Sequence, residues 1–415
     1  MKTDLDRLMQ EKNIDALLIT GPAQHNPAMH YFTGNVHLTH ADLIKPRGKP
    51  PVLFHTAMER DEAAKTGLQT KNITDYNYKK LLEQAKGNRL LAAVLRYRRM
   101  FADAGVDGGR VSVYGKTEIG NAFAIFGRLQ REWPAIKLIG EPEGDSILRQ
   151  AMASKDETEI EHIRRIGHTT VEVVGLTAEF LGSHTAKNGT LTKPDGQPLT
   201  VRDVKRQINL WLAERDAEAP EGFIFAIGRD AGVPHSQGDP DAPLELGKTI
   251  IFDIFPCQAG GGYYFDFTRT WCLGYAPDEV QALYQDVRTV YETVMSELRL
   301  NAPGHEYQER VCDLFEAQGH ATIRQDATIQ EGYVHSLGHG LGLHIHESPS
   351  LRNKAYASSK DVLFPGAVVT IEPGLYYPDR GMGVRLEDTV WARPDGKMEI
   401  LAEYPLDLVI PVKSA

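Results

Sequence analysis

An aspartate inside Ile251-Phe252-Asp253-Ile254-Phe255 is an expensive placement, because a carboxylate among apolar strand neighbours costs roughly several kcal/mol unless something compensates it. Tyr264-Phe265-Asp266-Phe267-Thr268-Arg269-Thr270 repeats the arrangement, and two-residue alternation puts Asp266, Thr268 and Thr270 on one face. Residues 383–390 read as a third such strand, with Arg385, Glu387 and Thr389 opposite Val384 and Leu386. Glu372 follows the apolar run 367–371 and precedes Pro373-Gly374. Four carboxylates emerging from strands or strand ends repel one another, and hard divalent cations are the usual partners that neutralise them.

A fifth ligand comes from the run 334–347, where His335, His339, His344 and His346 fall close together. Glycines 338, 340 and 342 disfavour a regular helix there and let the backbone approach a ligand or metal. Imidazole suits manganese, cobalt, zinc or iron better than calcium. Two such ions permit a bridging hydroxide near neutral pH to attack an amide carbonyl polarised by the second ion. Taken singly, each acid reads as a hydrogen-bonded core residue and each histidine as loop packing. A metal site explains them jointly.

The elements that must position these residues lie in the second half of the chain. At 415 residues it exceeds the size of a single hydrophobic core, so two domains are expected, 1–150 and 151–415. The first alternates short strands (16–19, 51–54) with a helix over 78–104. Ser154 and Glu157 match a capping box opening a helix to Leu181, with Ile160, Ile163, Ile166, Val171 and Val174 as its apolar stripe. Residues 182–199 read as a surface hairpin or loop, and strands at 249–255, 263–271, 367–371 and 383–391 with helices at 278–300 and 306–318 make the second domain α+β.

Composition narrows the partners. Lys plus Arg total 46 against 56 Asp plus Glu, a net charge of −10 that disfavours nucleic acid and anionic membranes. The chain shows no apolar signal region at residues 1–10 and no stretch of membrane-spanning length. Cys257, Cys272 and Cys312, odd in number and widely spaced, fit a reducing cytoplasm better than a disulfide framework.

The ordered set Pro234-His235-Ser236, Asp253, Asp266 to Thr270, Gly338 to Leu343, His346-Glu347, Ile371 to Gly374 and Arg385 to Asp388 resembles the metallopeptidase family that includes methionine aminopeptidase, aminopeptidase P and prolidase. It is closest to the prolidase and aminopeptidase P branch, whose Asn-x-x-Tyr-x-x-Gly stretch is similar to residues 26–35. The resemblance implies an α+β protein: a C-terminal pita-bread catalytic domain preceded by a smaller α/β creatinase/prolidase-like N-terminal domain. It implies two divalent ions, manganese favoured, held by Asp253, Asp266, His339, Glu372 and Glu387, with Asp266 and Glu387 bridging. Glu372 would also move a proton, and His235, His335 and His346 would contact substrate or its tetrahedral intermediate. Arg385 would orient the carboxylates or the substrate, and Arg352 would receive a dipeptide's carboxylate. The implied activity is hydrolysis of an Xaa-Pro bond in dipeptides or at peptide N-termini, by a homodimer acting on small peptides. A metal-dependent lyase, another small-amide hydrolase and a non-catalytic peptide-binding module are the alternatives. Asp253 and Asp266 are thirteen residues apart where the family usually has eleven, and the segment 353–364 is longer than usual. Both changes bear on the rim rather than on the ligands.

Overall fold

The computed structural model describes residues 4–414. The chain separates into two compact units, one running to Met152 and taking in Gly260–Gly262, the other comprising Ala153–Ala259 and the chain from Tyr263. The first unit is a six-stranded mixed sheet in the order Gln69–Asn72, Val52–His55, Ala41–Pro46, Ala16–Gly21, Gly109–Gly115, Ile136–Ile139. Leu18, Ile44 and Phe54 of this sheet pack against Val94, Met100, Phe101 and Leu129 of helices Arg89–Asp103 and Ile119–Glu132. The single helix expected over 78–104 is two, Tyr78–Gln84 and Arg89–Asp103. Lys86 and Gly87 adopt positive φ between them, and the Asn88 side chain accepts the Leu91 N–H to restart the helix.

In the second unit the long helix α1 (Glu157–Ser183) begins two residues later than the capping box read from Ser154. Ser154 bridges Ala367 and the Lys155 N–H donates to the Gly366 carbonyl, so this backbone is extended and Asp156 becomes the cap, reciprocated by Glu159. The buried stripe runs through Ile160, Ile163, Ile166, Val173 and Val174, with Val171 at its edge. Residues 182–199 do hold a hairpin, Thr185–Lys187 with Thr190–Thr192.

Around α1 the strands are β1 (Ile224–Ile227), β2 (Thr249–Ile254), β3 (Phe267–Leu273), β4 (Gly338–Gly340), β5 (Glu347–Leu351), β6 (Val368–Ile371), β7 (Gly374–Tyr377), β8 (Met382–Arg385), β9 (Asp388–Ala392), β10 (Met398–Ile400) and β11 (Val409–Ile410). One sheet has the order β1-β2-β3-β11, another β5-β4-β6-β9-β10, and β7 pairs with β8. Helices α2 (Asp278–Glu297) and α3 (Gly304–Ala317) supply Val287, Val290, Val294, Val311 and Phe315 to a core shared with Leu375, Val384, Leu386 and Val390.

Burying Val384 and Leu386 there contributes roughly 1.5–3 kcal/mol each. It also fixes the register: a slip of one residue would send Arg385 and Glu387 into the core. The strand expected over 383–391 breaks at Leu386 and Glu387, and the one expected from Tyr263 begins at Phe267, so Glu387 and Asp266 both stand at strand ends. The Glu387 N–H donates to the Thr268 carbonyl at 3.1 Å, joining the two sheets beside these acids.

Candidate metal centre

Four strands or strand ends bring the acids together. Asp253 on β2 lies opposite Thr268 on β3, and its Oδ2 accepts from Arg385 Nη2. Its other oxygen is buried and has no hydrogen-bond partner, an expense that a bound cation would remove. Asp266 Oδ1 accepts the Phe267 N–H at 3.0 Å, and Glu387 Oε2 accepts the Thr268 hydroxyl at 2.7 Å. Glu372, one residue beyond β6, accepts the Thr370 hydroxyl at 3.2 Å.

His339 enters on β4. A Cβ at Gly338 would stand 2.0 Å from the Thr370 carbonyl, so only glycine lets β4 press this closely on β6. The His339 Nδ1–H donates to the Gly340 carbonyl at 3.0 Å, which leaves the Nε2 lone pair facing Asp266 and Glu372, each at 3.5 Å. Ligand atoms of Asp266, His339 and Glu387 all lie within 4.8 Å of one another.

The protonation chemistry matches this crowding. Burial, then the charges of Asp253 and Glu372, hold the Asp266 carboxyl well above the ordinary aspartate range. Burial and Asp266 do the same to Glu387. Burial pushes Glu372 up to about 8 against the opposing pull of Arg385, and it pushes His339 down to about 3, keeping the imidazole neutral. A neutral imidazole with an inward lone pair, an orphaned carboxylate oxygen and clustered acids with a single guanidinium among them are a donor set that fits divalent cations.

Two family models match the sequence: Metallopeptidase family M24 over residues 161–394, and Creatinase/Prolidase N-terminal domain over residues 3–124. The chain belongs to metallopeptidase family M24. Among curated relatives, the uncharacterized peptidase YqhT of Bacillus subtilis is 30% identical over 222 residues, covering 53% of this chain and 57% of its own length. The Xaa-Pro dipeptidase of Pyrococcus furiosus is 32% identical over 204 residues, covering 47% of this chain and 51% of its own. The chain thus aligns with little more than half the length of these relatives. The crystal structure of an X-Pro aminopeptidase from Thermotoga maritima superposes with a TM-score of 0.73 at 21% identity, over 98% of this chain and 99% of that one.

The remaining predicted residues of this M24 protein are placed unequally. The buried Arg385 donates to Asp253, to the Tyr376 hydroxyl (2.9 Å), to the Pro234 carbonyl (3.2 Å) and to Thr268 Oγ1 (3.3 Å). The exposed His346 lies with its ring tilted against that of His339, centroids 4.3 Å apart, and His235 is an exposed neighbour whose charge acts on His335. His335 has protein partners at both ring nitrogens. Its Nδ1–H donates to the Ser336 carbonyl at 2.7 Å, so its Nε2 accepts the Tyr376 hydroxyl at 2.8 Å, and no N–H is left for a substrate. The side chain of Arg352 is 46% exposed, with its Nε 3.8 Å from Asp361 Oδ2.

Sequence reasoning passed over Tyr376, which joins Arg385 to His335 and whose hydroxyl burial pushes up to about 12. Its signal was alternation: Glu372, Gly374 and Tyr376 are two residues apart.

Proposed function

We propose that this M24 protein is a hydrolase of Xaa-Pro peptide bonds that works with two divalent ions, manganese favoured, held by Asp253, Asp266, His339, Glu372 and Glu387. The observation that carries the reading is the gathering of Asp266, Glu372 and Glu387 around one neutral imidazole, with a buried Asp253 oxygen left unpartnered. The name of the Pyrococcus furiosus relative supports the choice of substrate. When bound, the ions supply a nucleophilic water near neutral pH and an electrophile for the scissile carbonyl.

The chain's own groups do the rest. Glu372, ionised once the cluster holds its cations, takes a proton from the attacking water and returns it to the proline nitrogen as the bond breaks. Arg385 holds Asp253 and, through Tyr376, the strand that follows Glu372. His346, at the rim beside His339, donates to the oxygen on which charge develops. Arg352 receives a free carboxylate when the substrate is a dipeptide, exchanging its contact with Asp361 for a bidentate one. No helix among the described residues is long and apolar enough to cross a membrane. From the free cysteines Cys257, Cys272 and Cys312 and the resemblance to the prolidase branch we infer a cytoplasmic homodimer.

Manganese-loaded protein should release proline from Ala-Pro and the N-terminal residue from Ala-Pro-Ala. If metal is bound at two equivalents and neither peptide turns over, the reading is wrong.

A further inference from the structure

Lys155 and Glu347 form an ion pair outside the cluster, and both side chains are 0% exposed. Lys155 Nζ donates to Glu347 Oε2 at 2.7 Å and to the Ala153 carbonyl at 3.0 Å. The other Glu347 oxygen accepts the His344 N–H at 3.0 Å. The turn between them is closed by Gly342, whose N–H donates to the His344 carbonyl and whose own carbonyl accepts the Tyr264 N–H. A Cβ at Gly342 would stand 2.7 Å from Glu347 Oε2 and 2.8 Å from Lys155 Cε. Residues 342–347 are therefore wrapped around the ion pair with no room for a further methyl group.

Stability does not account for this choice of residues. Removing two charges from water costs about as much as their attraction returns, and well-packed apolar side chains of the same volume hold a fold equally well or better. What an apolar pair cannot do is accept the His344 N–H and tie that turn to the start of α1. The start of α1 is itself anchored, since the Glu159 carboxylate accepts both the Asp156 N–H (2.9 Å) and the Tyr263 hydroxyl (3.0 Å). His346 is the residue next to Glu347, and its ring lies against that of His339.

We infer that Lys155 and Glu347 are positioning residues: their buried pair fixes the turn 342–347 so that the His346 imidazole is held beside His339 for its contact with substrate. The inference rests on the hydrolase reading of the site, because His346 has work to do only if a substrate is turned over there.

The test is the Lys155→Met/Glu347→Met double variant, which removes the pair without stranding a charge. The manganese-loaded variant should bind as much metal as the parent and melt within a few degrees of it. Amide hydrogen exchange in residues 341–348 should accelerate by at least about tenfold while Val368–Ile371 stays protected. With Ala-Pro, kcat and kcat/KM should fall together by about a hundredfold, the response to a group misplaced in the transition state. The double variant carrying His346→Ala as well should be no slower than the protein with His346→Ala alone. Effects that multiply, an unchanged kcat or unchanged exchange in 341–348 would each overturn the inference. If the double variant does not fold, Gly342→Ala, which drives a methyl group between the two charges, should give the same pattern, and parent-like exchange and kcat in that variant would overturn the inference as well. If the parent itself cleaves neither Ala-Pro nor Ala-Pro-Ala, the hydrolase reading fails. The exchange measurement then decides alone whether the pair holds the turn.

Discussion

Removing divalent ions should make this protein less stable as pH rises through neutrality. Asp266, Glu372 and Glu387 keep protons in the folded chain at pH values where the unfolded chain has lost them. The folded state then binds more protons than the unfolded one, so stability present at low pH is lost as pH climbs through the raised folded values. Each carboxyl still protonated in the fold subtracts about 1.4 kcal/mol per pH unit. Glu372, half titrated near 8, by itself gives a loss of about 1 kcal/mol between pH 7 and 8, and Asp266 and Glu387, held well above the ordinary carboxylate range, act in the same direction. His335 and His339, pushed down to about 3 by burial, act with the opposite sign, but only below the unfolded histidine value of 6.5. Their contribution is flat across the window. Urea unfolding in a chelating buffer at several pH values between 7 and 8 reads this slope, and Glu387→Gln should lessen it. Saturating manganese should reverse it, since ligands must shed protons to bind metal. A chelated protein whose stability is level or rises from pH 7 to 8 would refute the argument.

Two further outcomes follow from contacts around the cluster. Thr268→Val removes the hydroxyl that Glu387 accepts at 2.7 Å and should weaken metal binding by about 10–100-fold in chelator competition, where parent-like affinity would count against that orienting role. Tyr376→Phe takes a partner from the part-buried His335 Nε2 and leaves one donor of the buried Arg385 unmatched, and should cost about 1–3 kcal/mol in urea unfolding; a change of a few tenths would show that the network relaxes around the loss.

The gathering of acids was legible because its members break the rules of their elements. Asp253 interrupts an apolar strand, and Arg385 and Glu387 alternate with two of the most buried side chains in the unit. The mixed sheet of the first unit and the α+β second unit follow from the same periodicities. Other features depended on tertiary partners. Ser154 has the chemistry of a cap, but its backbone is taken by Ala367 and Gly366, which moves the helix start to Asp156. The helix expected through Lys86 and Gly87 is interrupted by two positive-φ residues that no apolar stripe reveals. Tyr376 reads as an ordinary strand aromatic until Arg385 and His335 are seen on either side of its hydroxyl.

The order of the ligands along the chain has a kinetic consequence. Of the proposed ligands, Asp253 lies on β2 and Asp266 just ahead of its partner strand β3, yet His339 follows Asp266 by 73 residues and Glu372 lies 33 residues beyond it. Closing such separations comes late, after loop entropy has been met by the hairpins and helices between them. An interaction assembled late is absent from the folding transition state and therefore acts on the return journey. Metal should leave the rate of folding nearly untouched and lengthen the lifetime of the folded chain, so that the loaded protein persists by unfolding slowly.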